Sequence, residues 1–282
     1  MGFEIEIAQN AGACFGVMRA LKMVNEAATL DGQKHTLGPL IHNPQVVDEL
    51  AKKGVDVANS LDEAREGTLV LRSHGTAPQL VQEAYERGFN VIDATCPYVT
   101  KVQRRARELG EDGFGVVIIG EPGHAEVEGI RAWGGDAVVA VADTPEKLPA
   151  ALPAKVGVVI QTTQSQEHVD AVLEVLRRRV TELRVEETVC FATQKRQQSC
   201  AELAARADAM LIVGGRNSGN TTRLFEIARA RCANSHHFEA ADEIETAWLN
   251  DVALVGITAG ASTPAEHIEA VRTRLVELGG LG

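Results

Sequence analysis

Asn90-Val91-Ile92-Asp93-Ala94-Thr95-Cys96-Pro97-Tyr98-Val99 decides how the rest of the chain is read. Val91-Ile92 has the character of a short buried strand, and Asp93 to Cys96 form a polar turn. Pro97 opens a helix, because its fixed φ suits a first helical residue and its missing N–H would have no partner there anyway. The same succession recurs in both directions. Val70-Leu71 leads into Ser73-His74-Gly75 and a helix from Pro78, and Val116–Ile119 into Gly120-Glu121-Pro122-Gly123-His124 and a short helix through Ile130. Val156–Ile160 leads into Gln161-Thr162-Thr163 and a helix to about Arg179. Met210–Val213 leads into Gly214–Gly219 and a helix to about Arg231, and Val252–Ile257 into Thr258–Ser262 and a helix ending near Leu278. Short strands alternating with helices of this length imply an α/β fold of mostly parallel sheets with crossover helices. Ala137–Ala142 reads as a further buried strand, and Thr76 and Thr263, each followed by a proline and a Gln or Glu, read as helix caps.

The 282 residues suffice for two or three compact domains. A formal net charge of −11 argues against nucleic acid or an anionic membrane as partner, since both need basic surface. With 4% aromatic residues, a base-stacking platform is also disfavoured. No apolar run approaches the roughly 20 residues of a membrane helix. Met1-Gly2-Phe3-Glu4-Ile5-Glu6 has no basic stretch followed by an apolar one, so a cytoplasmic location is expected. A phosphorylated small molecule stays open, held by local donors and helix N-termini against the overall field.

The chemically useful residues fall in the turns after strands, the end of a parallel sheet where ligands bind. Of five cysteines, Cys14, Cys96 and Cys190 lie 82 and 94 residues apart, with 92 residues after the last. The expected organisation is therefore three α/β lobes: 1–95 with Cys14, His42 and His74; 96–189 with Cys96, His124 and Glu126; and 190–282 with Cys190 and the Ser218, Asn220 and Ser262 turns. No sequence repeat links the thirds, so any symmetry is one of structure alone.

Cys14 stands between glycines at the mouth of a helix, where the dipole favours an anionic ligand, and Cys96 and Cys190 occupy comparable turns. An odd cysteine count without a C-x-x-C pair disfavours disulfides, zinc ribbons and thioredoxin-type chemistry, leaving metal binding or plain burial. His42, His74 and His124 all sit in Gly- or Pro-flanked turns, suited to a shared anion or, alternatively, to capping and loop hydrogen bonds. His35, His168, His236, His237 and His267 lack that setting and read as surface or core. Glu126, two residues after His124, is a candidate proton donor near an anion, or else an ordinary first-turn helix acid, the role that fits Glu128 better. Gly214–Thr222 resembles a phosphate cradle but is neither a Walker A loop nor a dinucleotide fingerprint, and Gly260-Ala261-Ser262-Thr263-Pro264 is a second turn of that type.

Taken together, these segments resemble the 4-hydroxy-3-methylbut-2-enyl diphosphate reductase family of the methylerythritol phosphate route to isoprenoids. The match runs from Ala13-Cys14-Phe15-Gly16-Val17 to Thr258–Ser262, through Gly38–Asn43, Ser73–Gly75, Asp93–Val102, Gly123–Gly129, Gln161–Thr163, Cys190–Gln197 and Asn217–Arg223, in the same order. The resemblance implies three lobes around a central [4Fe–4S] iron–sulfur cluster held by Cys14, Cys96 and Cys190, with one iron open to the substrate hydroxyl. It implies that His42, His74, His124, Ser218, Asn220 and Ser262 hold the diphosphate. By the same resemblance Glu126, with His124, would relay protons, and Thr162 would position the hydroxyl, with Thr163 a second candidate. Two single electrons, expected from a ferredoxin or flavodoxin, and proton delivery would then expel water and yield isopentenyl and dimethylallyl diphosphates. Gly219 stands at a substrate-binding position where many relatives have a second serine, and Ala125 replaces a frequent proline. Cys200 and Cys232 match nothing in the pattern and read as structural. Three other readings compete: a non-redox iron–sulfur hydro-lyase, an iron–sulfur sensor or phosphate-binding module without catalysis, and a zinc hydrolase, the last lacking any H-x-x-x-H spacing.

Overall fold

The computed structural model describes residues 2–281. The first run of elements is β1 (Phe3–Ile7), α1 (Phe15–Ala28), β2 (Lys34–Leu37), α2 (Pro44–Lys52), β3 (Asp56–Ala58), α3 (Leu61–Ala64), β4 (Thr68–Leu71), α4 (Pro78–Glu86) and β5 (Asn90–Asp93). The second is α5 (Pro97–Glu111), β6 (Gly115–Ile119), α6 (Ala125–Gly134), β7 (Val138–Ala142), β8 (Lys155–Ile160), α7 (Gln166–Arg179) and β9 (Glu182–Val185). The third is α8 (Phe191–Ala204), β10 (Ala209–Val213), α9 (Gly219–Arg229), β11 (Ser235–Phe238), β12 (Leu254–Ala259), α10 (Ala265–Glu277) and β13 (Gly280–Leu281). The strands and turns expected from the sequence are all present, with helix ends shifted by up to two residues except at α6, which runs four residues past Ile130 to Gly134.

These strands build three sheets, ordered β3-β2-β4-β5, β7-β6-β8-β9 and β11-β10-β12-β1-β13, and every pairing is parallel. One rule covers all three: the second strand lies outside the first, followed by the third and a fourth. The third sheet obeys it only because β1 supplies its fourth strand, paired with β12 from Glu4–Leu254 to Ile7–Ile257. This corrects the lobe expected over 1–95. The sheet built from β2 to β5 already has its four strands, whereas the edge of β12 would be open without β1. Cys14, just after β1, therefore belongs with the C-terminal residues. Two compact units result, one of residues 2–17, 42–44 and 191–281, the other of 18–41 and 45–190.

Strand parity explains the cores. In β10, Ala209, Leu211 and Val213 join Val271 and Leu275 of α10, while Met210 and Ile212 face Cys200 and Leu203 of α8 and Leu224 of α9. In β6, Val117 and Ile119 pack with Val169, Val172 and Leu176 of α7, and Val116 and Ile118 with Val102, Ala106 and Leu109 of α5. Central strands covered on both faces read as unbroken apolar runs, which is why the sequence disclosed them. β7 differs: it lies at a sheet edge, Val139 is 39% exposed, and only Ala142 is fully buried, so the expectation of a buried strand is corrected. Neither threonine is a cap. Ala77 and Pro264 occupy the N-cap positions, Thr76 Oγ1 has no hydrogen-bond partner, and Thr263 Oγ1 donates to Val213 O at 3.1 Å. The prolines set the helix start one residue later than the cap pattern supposes. Cys200 and Cys232 are buried in the core, and burial pushes the Cys200 thiol up to about 12 against the opposing charge of Arg231. Among the described residues, no helix is long and apolar enough to cross a membrane.

Candidate functional site

Equivalent backbone bonds place the candidate residues at the carboxyl ends of the strands. Gly38, Gly120 and Gly214 each end a first strand and donate to the end of the second, to Ala58 O (2.8 Å), Ala142 O (3.1 Å) and Phe238 O (3.0 Å). Four residues beyond these glycines come His42, His124 and Ser218. The cysteines follow a second rule. Cys96 N–H donates to Ser73 O (3.0 Å), Cys190 N–H to Thr162 O (3.0 Å) and Cys14 N–H to Ala261 O (3.1 Å). Each cysteine is thus tied to the turn after its sheet's third strand, and the next residue in that turn is His74, Thr163 or Ser262. None of the three is in a disulfide, all are partly exposed, and each directly precedes a helix: α1, α5 or α8.

In the unit of residues 18–41 and 45–190, Glu126 is the centre of the polar cluster. It lies in the first turn of α6, yet it is only 2% exposed. Thr162 holds both carboxylate oxygens, its N–H donating to Oε1 at 2.7 Å and its hydroxyl to Oε2 at 2.8 Å. Burial lifts the Glu126 carboxyl to about 7; the two Thr162 bonds act against that, and Glu121 adds a smaller upward push. Burial rather than a neighbouring anion is therefore the cause, and the helix-acid alternative fits Glu128 instead, which is exposed and accepts Gly123 N–H at 3.2 Å. His124 caps α6 through Nδ1, which accepts Glu126 N–H at 3.1 Å, and its ring meets that of His74 edge-on with centroids 5.8 Å apart. Capping and a place beside the acid are thus compatible in one histidine. Thr163 is half-buried.

In the unit of residues 2–17, 42–44 and 191–281, Ser262 is the organiser. Its hydroxyl donates to His42 O at 3.0 Å, and its carbonyl accepts Asn43 Nδ2 at 2.9 Å. Ser218 caps α9, accepting Thr221 N–H at 3.3 Å, which leaves its hydroxyl hydrogen available as a donor. Gly219 opens α9, and Asn220 follows, 4% exposed, with neither side-chain oxygen nor nitrogen hydrogen-bonded. A buried amide without partners costs stability, and such groups mark places where a ligand completes the bonding.

Several contributors escaped the sequence. Arg196, buried on α8, donates from Nη2 to Gly12 O at 2.7 Å and so braces the turn before Cys14. Arg19 donates to Thr95 O at 3.1 Å, bracing the turn before Cys96. Gln161 Oε1 accepts Glu121 N–H at 2.9 Å and holds the turn that leads to His124. His237, read as surface or core, bonds Gly214 O through Nε2 at 2.9 Å. Arg196 and Gln161 lie inside segments singled out as motifs, but nothing local in them reveals those long-range partners.

A family model described as "LytB protein" matches residues 5–276. The 4-hydroxy-3-methylbut-2-enyl diphosphate reductase of Pelobacter propionicus is 46% identical over 275 residues, covering 98% of each chain. A solved (E)-4-hydroxy-3-methyl-but-2-enyl diphosphate reductase, described as the terminal enzyme of the non-mevalonate pathway, is 40% identical with a TM-score of 0.69, covering 98% of this chain and 99% of that one. The E-1-hydroxy-2-methyl-but-2-enyl-4-diphosphate reductase of Plasmodium falciparum shares the fold at a TM-score of 0.91 and 24% identity, over 97% of this chain and 88% of that one.

Proposed function

The chain belongs to the LytB protein family and reduces 4-hydroxy-3-methylbut-2-enyl diphosphate at the last step of the non-mevalonate route to isoprenoids, and on that premise we propose which of its residues carry the reaction. Cys14, Cys96 and Cys190 would hold a [4Fe–4S] cluster, which when bound supplies low-potential electrons and an iron open to the substrate hydroxyl. The donor set fits: three partly exposed cysteines outside any disulfide, each at a helix entrance and each anchored through its own backbone N–H. Among the described residues no three His, Cys, Asp or Glu side chains converge on a single ion. Ligands of a polynuclear cluster would not need to converge on one ion.

Ser218, Asn220, Ser262, His42, His74 and His124 bind the diphosphate, with the unpartnered Asn220 amide and the free hydroxyl hydrogen of Ser218 as donors. Gly219 lends its backbone N–H at the start of α9, where the helix dipole favours an anion. Glu126 moves the proton. With its carboxyl at about 7, roughly half of it is protonated at neutral pH. In that state it donates to the Thr162 hydroxyl, which turns its own hydrogen to the substrate oxygen. Two electrons and two protons convert C–OH into C–H and water, giving isopentenyl or dimethylallyl diphosphate according to which allylic carbon takes the second proton. The electrons arrive singly from a ferredoxin or flavodoxin, in the cytoplasm.

The observation that carries this reading is a buried acid held by a hydroxyl at 2.8 Å, next to the backbone anchor of Cys190. The test is oxidation of a reduced viologen dye by anaerobically purified protein given the substrate. Native protein should turn over. Glu126→Gln should keep its iron and lose most turnover, and each of Cys14→Ser, Cys96→Ser and Cys190→Ser should lose the cluster absorbance. Near-normal turnover in Glu126→Gln, or full iron in a cysteine variant, would overturn the corresponding assignment.

A further inference from the structure

We propose that the cleft over Gly38 and Arg72, at the carboxyl end of the β3-β2-β4-β5 sheet, binds a small monocarboxylate with a short apolar tail. The cleft has a volume of about 400 Å³ and lies between the ends of β2 and β4 and the helices α3, α4 and α6. It sits where the strand order reverses, the place at which open parallel sheets take ligands.

An equivalent position within the same unit shows what is unusual about it. Arg72 and Gln161 each precede the residue whose carbonyl anchors a cysteine. Both side chains lie across the glycine that ends the first strand: an added Cβ would stand 2.9 Å from Arg72 Nη1 at Gly38, and 3.0 Å from Gln161 Oε1 at Gly120. Gln161 is used there, since its oxygen accepts the N–H of Glu121, the residue after the glycine. In the Arg72 case the residue after the glycine is Pro39, which has no N–H, and a guanidinium cannot accept in any event. Arg72 makes one long bond, from Nε to Gly75 O at 3.4 Å, and has no ion pair among the described residues. Its partial burial, uncompensated by a carboxylate, lowers its pKa.

A second donor lines the same cleft. Thr76 is 6% exposed, and its Oγ1 has no hydrogen-bond partner. A planar guanidinium and a hydroxyl are the complement of a carboxylate. Leu37, Leu61 and Ala77 supply apolar wall for a short tail, and the exposed Leu80 stands at the rim. Charge restricts the choice. At the rim Arg87 pairs with Asp62 (2.6 Å) and Glu83 (2.5 Å), and Glu128 stands 3.9 Å from Arg131. Three carboxylates against two guanidinium groups leave one negative charge, which Arg72 alone cancels. With rim and Arg72 in balance, a singly charged acid leaves one net negative charge in the cleft, whereas a phosphate or diphosphate leaves two or more, so the least charged anion is favoured. The Arg72–Thr76 turn also carries His74, so occupancy of the cleft bears on the substrate-binding turn.

The experiment is anaerobic titration calorimetry of the cluster-loaded protein with hexanoate, repeated in the presence of inorganic phosphate. Hexanoate should bind saturably, and phosphate should not displace it. Arg72→Gln, which installs the residue found at the equivalent position, should weaken binding about tenfold, as expected for one lost charge-assisted bond. Leu80→Lys, at an exposed rim site on α4, should tighten it and gives a readout independent of any disturbance near Arg72. Absence of saturable binding to native protein, equal affinity in Arg72→Gln, or displacement by phosphate would each overturn the proposal.

Discussion

Replacing Thr162 with valine isolates one of the two hydrogen bonds that hold Glu126. Valine keeps the shape and the backbone N–H at 2.7 Å from Oε1, and removes only the hydroxyl at 2.8 Å from Oε2. Both bonds favour the carboxylate and oppose the burial that brings Glu126 to about 7. A hydrogen bond to a charged group has a net worth of about 1.5–3 kcal/mol. One pKa unit corresponds to about 1.4 kcal/mol, so losing the hydroxyl should raise Glu126 by a further one to two units, roughly. If Glu126 gives up the proton, turnover falls as pH rises through its pKa. The alkaline limb of kcat should then lie near 7 in native protein and move upward by roughly one to two units in Thr162→Val. The rate below the limb should also drop, because the relay hydroxyl is gone, but the position of the limb is independent of that loss. Dye-oxidation rates measured from about pH 5 to about pH 10 would resolve it. A limb that stays in place, or moves to lower pH, would refute the role of Thr162 in holding the charged form.

The same burial has a consequence for stability. Because Glu126 rises from 4.5 to about 7 on folding, the stability it contributes is fully present below pH 4.5 and lost as pH rises through about 7. Urea midpoints should decline across that window, and Glu126→Gln should flatten the decline; identical slopes would contradict the assignment. Asn220→Leu replaces a buried amide that has no partner, so thermal stability should hold or increase while KM for the diphosphate rises. A clear loss of stability would mean the amide is already bonded within the fold. Gly260→Ala would place a Cβ 2.1 Å from Thr221 Oγ1, and should cost roughly 1–3 kcal/mol in denaturant unfolding. An unchanged midpoint would show that the Ser262 turn yields more easily than its packing indicates.

What the sequence determined by itself is local. The apolar runs at Val116–Ile119 and Met210–Val213, the prolines at 78 and 97, and the glycines at 38, 120 and 214 specify strand, turn and helix within a few residues of themselves. For that reason the turns carrying His74, Cys96, His124, Thr162, Ser218 and Ser262 could be placed after named strands from the sequence, whereas β1, β2 and β9, which precede Cys14, His42 and Cys190, are not read from it. Tertiary structure decided whatever depends on distant partners. β1 bonds to strands some 250 residues away, since backbone pairing follows the open edge of a sheet and leaves no trace in the strand's own residues. Thr162 finds Glu126 across 36 residues and Arg196 finds Gly12 across 184, and neither spacing has a periodicity to betray it. Glu126 and Glu128 are two carboxylates in one helical turn, indistinguishable as sequence. Only burial brings the carboxyl of one of them to about 7, because desolvation is a property of the packed interior rather than of the residue.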